Sequence, residues 1–341
     1  MRVGLLFDFP QADGGEGFAR AVRLGLAAVG IDPAAVELLT RETLGLPAGR
    51  VEDVVLGYEE LVADDVNVVL GPSISDNCLA VRDAADSTRV PAINYSGGER
   101  TRSEWMFHYQ VGSLEEEPPL LDARMGERGL RRAAVIHDES VVGRRYREVL
   151  GWVAADAEVV ITATAVIDPL ATDLDAVVAR MRASDPDVVV YLGLGAASHA
   201  VATAIAAGGW TVPVLANSAL MFGYVRPAWR DAWADWEYVD TIADDNRARA
   251  ALAAVDARVA AGPIGCAAYD MGRLVGLAMR RADSADAAGM REGLERVKQV
   301  PASSGYDGTL MGFGVWDHAA LKGPFLVLRA WRDGHTVQIQ R

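Results

Sequence analysis

The feature that most constrains the fold of this 341-residue chain is a nearly unbroken alternation of short apolar segments and amphipathic segments. Apolar runs of about four to eight residues are typical of buried strands, and the segments between them place apolar residues at helical spacing. The pattern runs from Val3 to Ile93, restarts at Leu114 and continues to Ile242. Two successive series of this kind predict an α/β protein with two doubly wound lobes, each built on a parallel sheet.

The last third of the chain breaks this series. Residues 246–281 and 286–298 are predicted to be mostly helical, and a turn at Asp333-Gly334 separates the last of three predicted antiparallel strands, which span 310–316, 325–331 and 336–339. We expect these segments to return to the first lobe and then cross again to the second, which makes a multi-crossover hinge. The predicted lobes are 1–116 with 245–318, and 117–244 with 319–341.

Two predicted strands end at small polar residues, where a ligand would bind. Val66–Leu70 continues into the loop Gly71–Ser75, and Val90–Ile93 continues into the loop Asn94–Gly98. Ligands of open parallel sheets bind outside the carboxyl ends of the strands, and small residues there let backbone N–H groups approach closely. We expect Ser75 to cap a following helix, whose positive end adds to the site. The loops predict a polar cradle for a small molecule with a carboxylate, amide or similar acceptor group.

Composition excludes several classes of function. A net charge of −14 argues against nucleic-acid partners and against docking on anionic lipid. No run is long enough for direct membrane insertion. Only two lysines occur, Lys298 and Lys322, and no phosphate-binding Gly-Lys-Ser loop is present. Cys78 and Cys266 lack metal-ligand spacing, so we expect buried free thiols, with a disulfide between them left open. No metal and no cofactor are expected.

Several further features leave alternatives open. The loop Gly193–Ser198 follows a predicted strand and resembles a dinucleotide fingerprint, but Ser198 replaces the third glycine and no acidic residue ends the next strand at Ala216. A small-residue strand end facing a cleft is the favoured interpretation, and a nucleotide-dependent α/β enzyme is the rival. His137 beside Asp138 at a strand end is either a ligand neighbour or an ordinary hydrogen-bonded pair.

Serine-nucleophile catalysis finds no support, because no Gly-x-Ser-x-Gly elbow is present. The tryptophans Trp229, Trp233 and Trp236 recur at helical spacing, and we interpret them as a packing face rather than as a pocket lining.

Six short segments follow one another in an order and spacing that are specific when taken together. They are Gly71–Ser75, Val90–Gly97, Ile136–Gly143, Ser184–Val190, Ala268–Asp270 and Tyr306–Phe313. The first resembles a Gly-Pro-x-x-Ser loop and the second a Val-Pro-x-Ile-Ser-x-x-Ala segment. On these motifs the chain resembles the type I periplasmic binding proteins, in particular the branched-chain amino-acid (Leu/Ile/Val) receptor family of ABC transporters.

The resemblance implies a two-lobed clamp with three crossovers that closes on a small ligand in the cleft between its lobes. In the family, residues matching Ser75 and the segment 96–98 hold the ligand carboxylate. Amino-acid-binding members use a tyrosine where this chain has Val142, and a carboxylate near Asn217 and Ser218 to hold the ammonium group. Neither group is evident here, so a ligand without an ammonium group is expected, such as a carboxylic acid, an aromatic acid or an amide.

The predicted ligand-binding residues come from both lobes. They are Phe9, Ser75, Tyr95, Ser96, Gly97, Gly98, His137, Val142, Gly195, Asn217, Ser218 and Phe222, and Tyr224 is a further candidate for an apolar wall.

The resulting hypothesis is a non-catalytic solute-binding protein of the ABC-transporter type. Its small-molecule ligand is expected to be a small carboxylate, an aromatic acid, an amide or an amino-acid-like compound. The chain runs from Met1 directly into a predicted strand, with no signal peptide evident. It is therefore expected to be cytoplasmic, or to be an exported protein, periplasmic or on the cell surface, from which a leader was removed. An exported form would have an ABC permease as its partner. A cytosolic form would be a ligand sensor, like amide-responsive regulators, with a regulatory partner protein.

Overall fold

The computed structural model describes residues 1–157 and 159–339. Gln340 and Arg341, the end of the predicted second lobe, lie outside the described residues, as does Glu158. The chain forms two compact units, which we call unit 1 (Met1–Val111 and Thr241–Phe325) and unit 2 (Gly112–Asp240 and Leu326–Arg341). The chain passes from one unit to the other three times. These bounds differ by a few residues from the predicted ones at each crossing.

The elements follow one another in an order close to the predicted alternation. The strands are β1 (Arg2–Phe7), β2 (Glu37–Glu42), β3 (Val68–Leu70), β4 (Ala92–Asn94), β5 (Met106–His108), β6 (Arg132–Asp138), β7 (Val160–Ile167), β8 (Val188–Leu192), β9 (Val214–Ala216), β10 (Glu237–Asp240), β11 (Val300–Pro301), β12 (Leu310–Met311), β13 (Leu321–Lys322), β14 (Val327–Arg332) and β15 (His335–Gln338). The helices are α1 (Glu16–Ala28), α2 (Val51–Ala63), α3 (Ser75–Thr88), α4 (Glu117–Glu127), α5 (Val141–Asp156), α6 (Asp175–Ala183), α7 (Ser198–Ala207), α8 (Arg247–Val255), α9 (Pro263–Met279) and α10 (Ala287–Glu295).

Unit 1 is built on a five-stranded parallel sheet in the order β2-β1-β3-β4-β5. Strand β3 is buried along its whole length, as an apolar run between two helical layers should be. Helix α9 returns to this unit and packs on α1, as expected for the late helical segment. A Cβ atom on Gly25 would lie 2.1 Å from the Tyr269 carbonyl oxygen, so glycine allows the two helix backbones to touch.

Unit 2 is built on a seven-stranded sheet in the order β15-β14-β10-β9-β8-β6-β7. Strands β6 to β10 are parallel, and β14 and β15 add an antiparallel hairpin that turns at Asp333-Gly334, as predicted. Trp233 and Trp236 are buried in the core, which confirms their interpretation as packing residues, and Trp229 packs against the same core while partly buried. The predicted fold class, two doubly wound α/β lobes, is confirmed.

Two predicted elements are wrong. The strand expected at 310–316 is limited to β12, which pairs with β11 and β13 in a separate small antiparallel sheet. It stops there because Gly312 and a turn over 314–317 redirect the backbone. The helix expected at 226–236 is a 3₁₀ segment, Pro227–Trp233, preceded by another at Ser218–Tyr224.

Cys78 and Cys266 are buried thiols within α3 and α9 and are not joined in a disulfide, as predicted. Within the described ranges, no group of three or more His, Cys, Asp or Glu side chains is arranged to hold a metal ion. Of the helices in the same ranges, none has the length and apolar character needed to cross a membrane.

Candidate functional site

A buried carboxylate organises the first strand-end loop of unit 1. Asp8 directly follows β1 and is fully buried. It accepts hydrogen bonds from the backbone N–H groups of Ser73 (3.1 Å) and Ile74 (2.8 Å), from the Ser73 hydroxyl (2.7 Å) and from the Asn77 amide (2.9 Å). A single side chain therefore fixes the loop between β3 and α3. Sequence reasoning missed Asp8, although an aspartate directly after an apolar strand was a visible signal.

Glycine is needed at the start of this loop. Gly71 has φ +120°, and a Cβ atom there would lie 2.1 Å from the Leu6 carbonyl oxygen. The backbone of the loop thus lies directly against the end of β1, beside the Asp8 carboxylate that holds it.

Ser75 has a different position from the one predicted. The N-cap of α3 is Ile74, and Ser75 is the first helical residue, so its hydroxyl does not cap the helix. Its exposed fraction is only 7%, and its hydroxyl makes no hydrogen bond with any residue in the described ranges. A nearly buried hydroxyl without a protein partner, in the first turn of a 14-residue helix, is a donor available to a ligand.

The second predicted loop of unit 1 lies beside the first. The Tyr95 backbone N–H donates to the Pro72 carbonyl oxygen at 3.1 Å. The Ser96 hydroxyl donates to the Asn94 side-chain oxygen (2.8 Å) and accepts the Gly98 N–H (3.4 Å). The hydroxyl of Ser96 is thus used within its own loop, in contrast to that of Ser75.

Three further predicted residues line these loops with apolar or backbone atoms. The Tyr95 ring packs on Phe18 with centroids 5.2 Å apart, Gly97 is half-buried, and the Phe9 side chain is exposed just beyond Asp8. Tyr95 and Gly97 are therefore part of the loops themselves, and the exposed Phe9 ring is next in sequence to Asp8, which holds the first loop.

A histidine behind the second loop is held neutral. His108 Nε2 lies 2.7 Å from the Ser96 carbonyl oxygen, and the Arg102 guanidinium donates to Nδ1 at 3.2 Å. Burial, reinforced by the Arg102 charge, lowers the pKa of His108 to about 3. The neutral ring therefore donates to Ser96 and supports the loop without adding a charge to it.

The first strand of unit 2 also ends at a fully buried aspartate. Asp138 accepts hydrogen bonds from the Ser140 hydroxyl and N–H, and from the Leu194 N–H at 2.7 Å. Burial raises its pKa, and these hydrogen bonds oppose the shift. A Cβ atom on Gly193 would lie 2.2 Å from the Asp138 carboxylate, so the loop after β8 packs directly against it.

His137 and Val142 are both buried close to this aspartate in sequence. The His137 ring bonds through Nδ1 to the backbone carbonyl oxygen of Asp138 at 2.9 Å, rather than to its carboxylate. Val142 lies in the first turn of α5 and is almost completely buried.

Asn217 and Ser218 are engaged by other parts of unit 2. The Asn217 amide pairs with the Gly193 backbone in both directions, at 2.9 and 3.2 Å. The Ser218 hydroxyl and N–H donate to the Glu117 carboxylate, at 2.9 and 2.7 Å. These contacts fix the loop after β9.

Glu117 is a second residue that sequence reasoning missed. It also accepts from the Ser113 N–H and the Tyr146 hydroxyl, both at 2.7 Å. Complete burial raises its pKa to about 7, although all four hydrogen bonds favour the charged form. A carboxylate does therefore lie beside Ser218, but it is enclosed and serves as an internal acceptor.

Gly195 is covered by its own unit. A Cβ atom there would lie 2.8 Å from both the Ala219 carbonyl oxygen and the Phe222 ring, and the Ser198 hydroxyl donates to the Gly195 carbonyl oxygen at 2.6 Å. Gly195 and Phe222 are thus brought together, as are Asn217 and the loop after β8.

Comparison with known proteins gives one family. A family model described as a periplasmic binding protein matches residues 1–323. A search of curated proteins gives no significant match. Among solved structures, the leucine-binding protein LivK of Thermotoga maritima is 13% identical with a TM-score of 0.83, over 100% of this chain and 98% of that one.

Two other similar structures contain ligands. The branched-chain amino-acid transporter substrate-binding protein LivJ of Streptococcus pneumoniae, in complex with isoleucine, is 17% identical with a TM-score of 0.80, over 99% of each chain. An ABC-transporter solute-binding protein of R. palustris, in complex with 4-hydroxybenzoate, is 14% identical with a TM-score of 0.78, over 100% of this chain and 96% of that one. The family model spans nearly the whole chain and these structures share its fold, so the resemblance found in the sequence is confirmed, and the chain belongs to the periplasmic binding protein family, with the fold of its type I members.

Proposed function

We propose that this protein is a non-catalytic solute-binding protein whose ligand is a small carboxylate, aromatic acid or amide, anchored by Ser75. The observation that carries the proposal is the Ser75 hydroxyl, which is nearly buried and makes no hydrogen bond within the described residues. The neighbouring hydroxyls of Ser73 and Ser96 are both used internally.

The contacts of the Gly193–Ser198 loop disfavour the nucleotide-dependent rival. A phosphate would need free N–H groups and an open glycine surface. Here the Leu194 N–H donates to Asp138, Gly195 lies under Ala219 and Phe222, and the Ser198 hydroxyl is bonded to the loop itself.

An exported form would deliver its ligand to an ABC permease, and this partner is part of the proposal. Support comes from the similar structures, of which two are described as ABC-transporter or amino-acid-transporter binding proteins. Locating the native protein by fractionation of its cells tests this part, because a purely cytoplasmic protein would contradict it.

Calorimetry with Ser75→Ala tests the anchor. Mass spectrometry of what co-purifies with the protein, and a thermal-shift screen of carboxylates, amides and amino acids, first identify a ligand. Ser75→Ala is expected to weaken its binding by roughly 1–3 kcal/mol, because a buried acceptor of the ligand would lose its donor. Ser87→Ala is the matched control, because it removes the same hydroxyl from an exposed position on the same helix. Equal affinities for wild type and Ser75→Ala would remove Ser75 from the site.

The absence of catalysis is tested by adding NAD and ATP to the thermal-shift screen and by assaying each ligand that binds for turnover. Stabilisation by NAD or ATP, or turnover of any ligand that binds, would contradict the proposal.

A further inference from the structure

Strand β7 forms one edge of the unit 2 sheet. It pairs in parallel with β6 and with no other strand in the described ranges. The Ile167 carbonyl oxygen accepts the Glu139 N–H, so Ile167 directs its backbone groups toward β6. Because alternate residues of a strand face opposite neighbours, the N–H and C=O groups of Thr164 and Val166 point away from the sheet and are open to another strand.

The other edges of the two main sheets are protected, whereas β7 is not. Strand β2 carries the charged residues Glu37, Arg41 and Glu42. Strand β5 is only three residues long and is bridged through His108 to Ala319, and β15 is four residues long. Strand β7 has eight residues and contains no charged residue, glycine or proline. Proteins keep sheet edges from pairing by means of charges, short strands and covering segments, so β7 is the edge suited to accept a further strand.

The second half of β7 is the part with a regular backbone. The register between β6 and β7 shifts after Ala133, which leaves Thr162 as an extra residue in β7. A bulge of this kind disrupts pairing locally. From Ala163 to Ile167 the register is unbroken, so an added strand is expected to pair with this segment.

Exposed apolar side chains flank the edge at both of its ends. Val160 begins β7 and Trp152 lies in the last part of α5, which leads into β7, and each is 57% exposed. Near the other end, Val166 is 57% exposed and Leu170 is 46% exposed. An antiparallel partner of the same sequence would bring the beginning of one strand to the end of the other, and apolar side chains would then meet at both ends.

We propose that β7 pairs in an antiparallel manner with β7 of a second copy of this chain, about a twofold axis at Ala165. In this register Thr164 of each copy lies opposite Val166 of the other, and their outward backbone groups hydrogen-bond. The regular segment 163–167 is paired with itself, and the bulge at Thr162 lies outside it. Asp168, which is exposed, lies opposite Thr162 of the second copy, so the paired segment opposes no like charges.

A second copy is a better occupant than another edge strand because a twofold pair closes on itself. Pairing of β7 with β2 would extend into an open chain of copies, and it would place the charges of β2 against an uncharged strand. The contact lies wholly within unit 2 and does not depend on the proposed function. Since the paired segment is short, the dimer is expected to be weak, with a dissociation constant on the order of 10–100 μM.

Sedimentation equilibrium of the full chain, at concentrations from well below to well above this range, tests the inference. Val166→Lys is expected to weaken dimerisation roughly tenfold or more, because it places a charge on the paired edge. Thr164→Pro should have a similar effect, since it removes an outward N–H that β6 does not use. Val337→Lys is the matched control, because Val337 is an exposed valine on β15, the opposite edge of the same sheet, and this variant should dimerise like wild type.

A wild type that stays monomeric over the whole range would overturn the inference. So would a dimer that Val166→Lys and Thr164→Pro leave intact, or one that Val337→Lys weakens equally. Far-UV circular dichroism checks that each variant folds, and if one β7 variant does not, the other decides.

The variant Thr164→Cys/Val166→Cys tests the register independently of these substitutions. Opposite Cα atoms of a hydrogen-bonded antiparallel pair lie about 5.5 Å apart, a distance that a disulfide spans. Cys78 and Cys266 are buried and do not compete. Oxidation should therefore link two copies covalently, and failure to form the linked dimer would overturn the proposed register.

Discussion

The first strands of the two units both end at a buried aspartate, Asp8 in unit 1 and Asp138 in unit 2. The loops that these aspartates hold differ in whether a serine hydroxyl remains without a protein partner. In each unit the adjacent strand leads through a glycine loop into a helix whose first residue is a buried serine, Ser75 in α3 and Ser198 in α7. The Ser198 hydroxyl is bonded to its own loop, whereas the Ser75 hydroxyl has no partner in the described residues.

This difference teaches that a shared backbone arrangement does not give both units the same chemistry. Unit 1 keeps a neutral hydroxyl donor at its strand ends. In unit 2 the hydroxyls of Ser198 and Ser218 are bonded within the unit, and so is the Asp138 carboxylate.

The largest predicted effect concerns the two aspartates. Asp8→Ala is expected to lower the free energy of unfolding by about 4 kcal/mol, because it leaves the backbone N–H groups of Ser73 and Ile74 without their acceptor and removes one of the two acceptors of the Asn77 amide. Asp138→Ala should cost less, about 2 kcal/mol, since fewer donors depend on it and its charged form is already disfavoured by burial. Urea unfolding of both variants measures the difference, and an equal or reversed order would show that the two aspartates do not differ as described.

The free energy of unfolding is expected to depend on pH through Glu117. The effect of the buried carboxyl group of Asp270 in unit 1 should be smaller. The folded pKa of Glu117 is about 7 and its usual value is 4.5, so between these values the folded chain holds a proton that the unfolded chain has lost. Stability therefore falls as pH rises through this window, by up to about 3 kcal/mol. In unit 1 the pKa of Asp270 is also raised by burial, but Arg273 lies 3.0 Å away and opposes the shift.

Guanidinium unfolding across this pH range tests the effect. Glu117→Gln should remove most of the fall in stability, and Asp270→Asn should remove less of it. A wild-type profile that has the same slope as that of Glu117→Gln would contradict the assignment.

The two loop glycines should respond differently to a methyl group. Gly71→Ala places Cβ against the Leu6 backbone and is expected to cost about 3 kcal/mol, because no side chain can move aside. Gly193→Ala places it against the Asp138 carboxylate. Its cost should therefore shrink in an Asp138→Ala background. A double-mutant cycle by urea unfolding measures this coupling, and strict additivity of Gly193→Ala with Asp138→Ala would contradict the contact.

The sequence predicts the fold better than the roles of the site residues. Alternating strand and helix patterns are local, and they place Ser75 and the 94–98 loop at strand ends. The residues that decide whether a side chain is left to bind a ligand are distant in sequence. Ser218 is bonded to Glu117, 101 residues away, and Asp8 holds a loop 65 residues away. Local pattern carries no signal for such pairs. The strand predicted at 310–316 is too long for a local reason, because hydrogen bonds between Gly314 and Asp317 close a turn directly after β12.

The smallest effect concerns the two serines, and it tests the central contrast directly. Ser198→Ala should lower the free energy of unfolding by about 1 kcal/mol, because the hydroxyl that it removes is bonded to the Gly195 carbonyl oxygen at 2.6 Å. Ser75→Ala should leave the unliganded protein as stable as wild type or slightly more so, because a nearly buried hydroxyl without a partner is lost. Urea unfolding without ligand gives both values. A loss of stability in Ser75→Ala that equals the loss in Ser198→Ala would show that the Ser75 hydroxyl already has a partner within the protein, and the contrast between the two units would fail at the residue on which it depends.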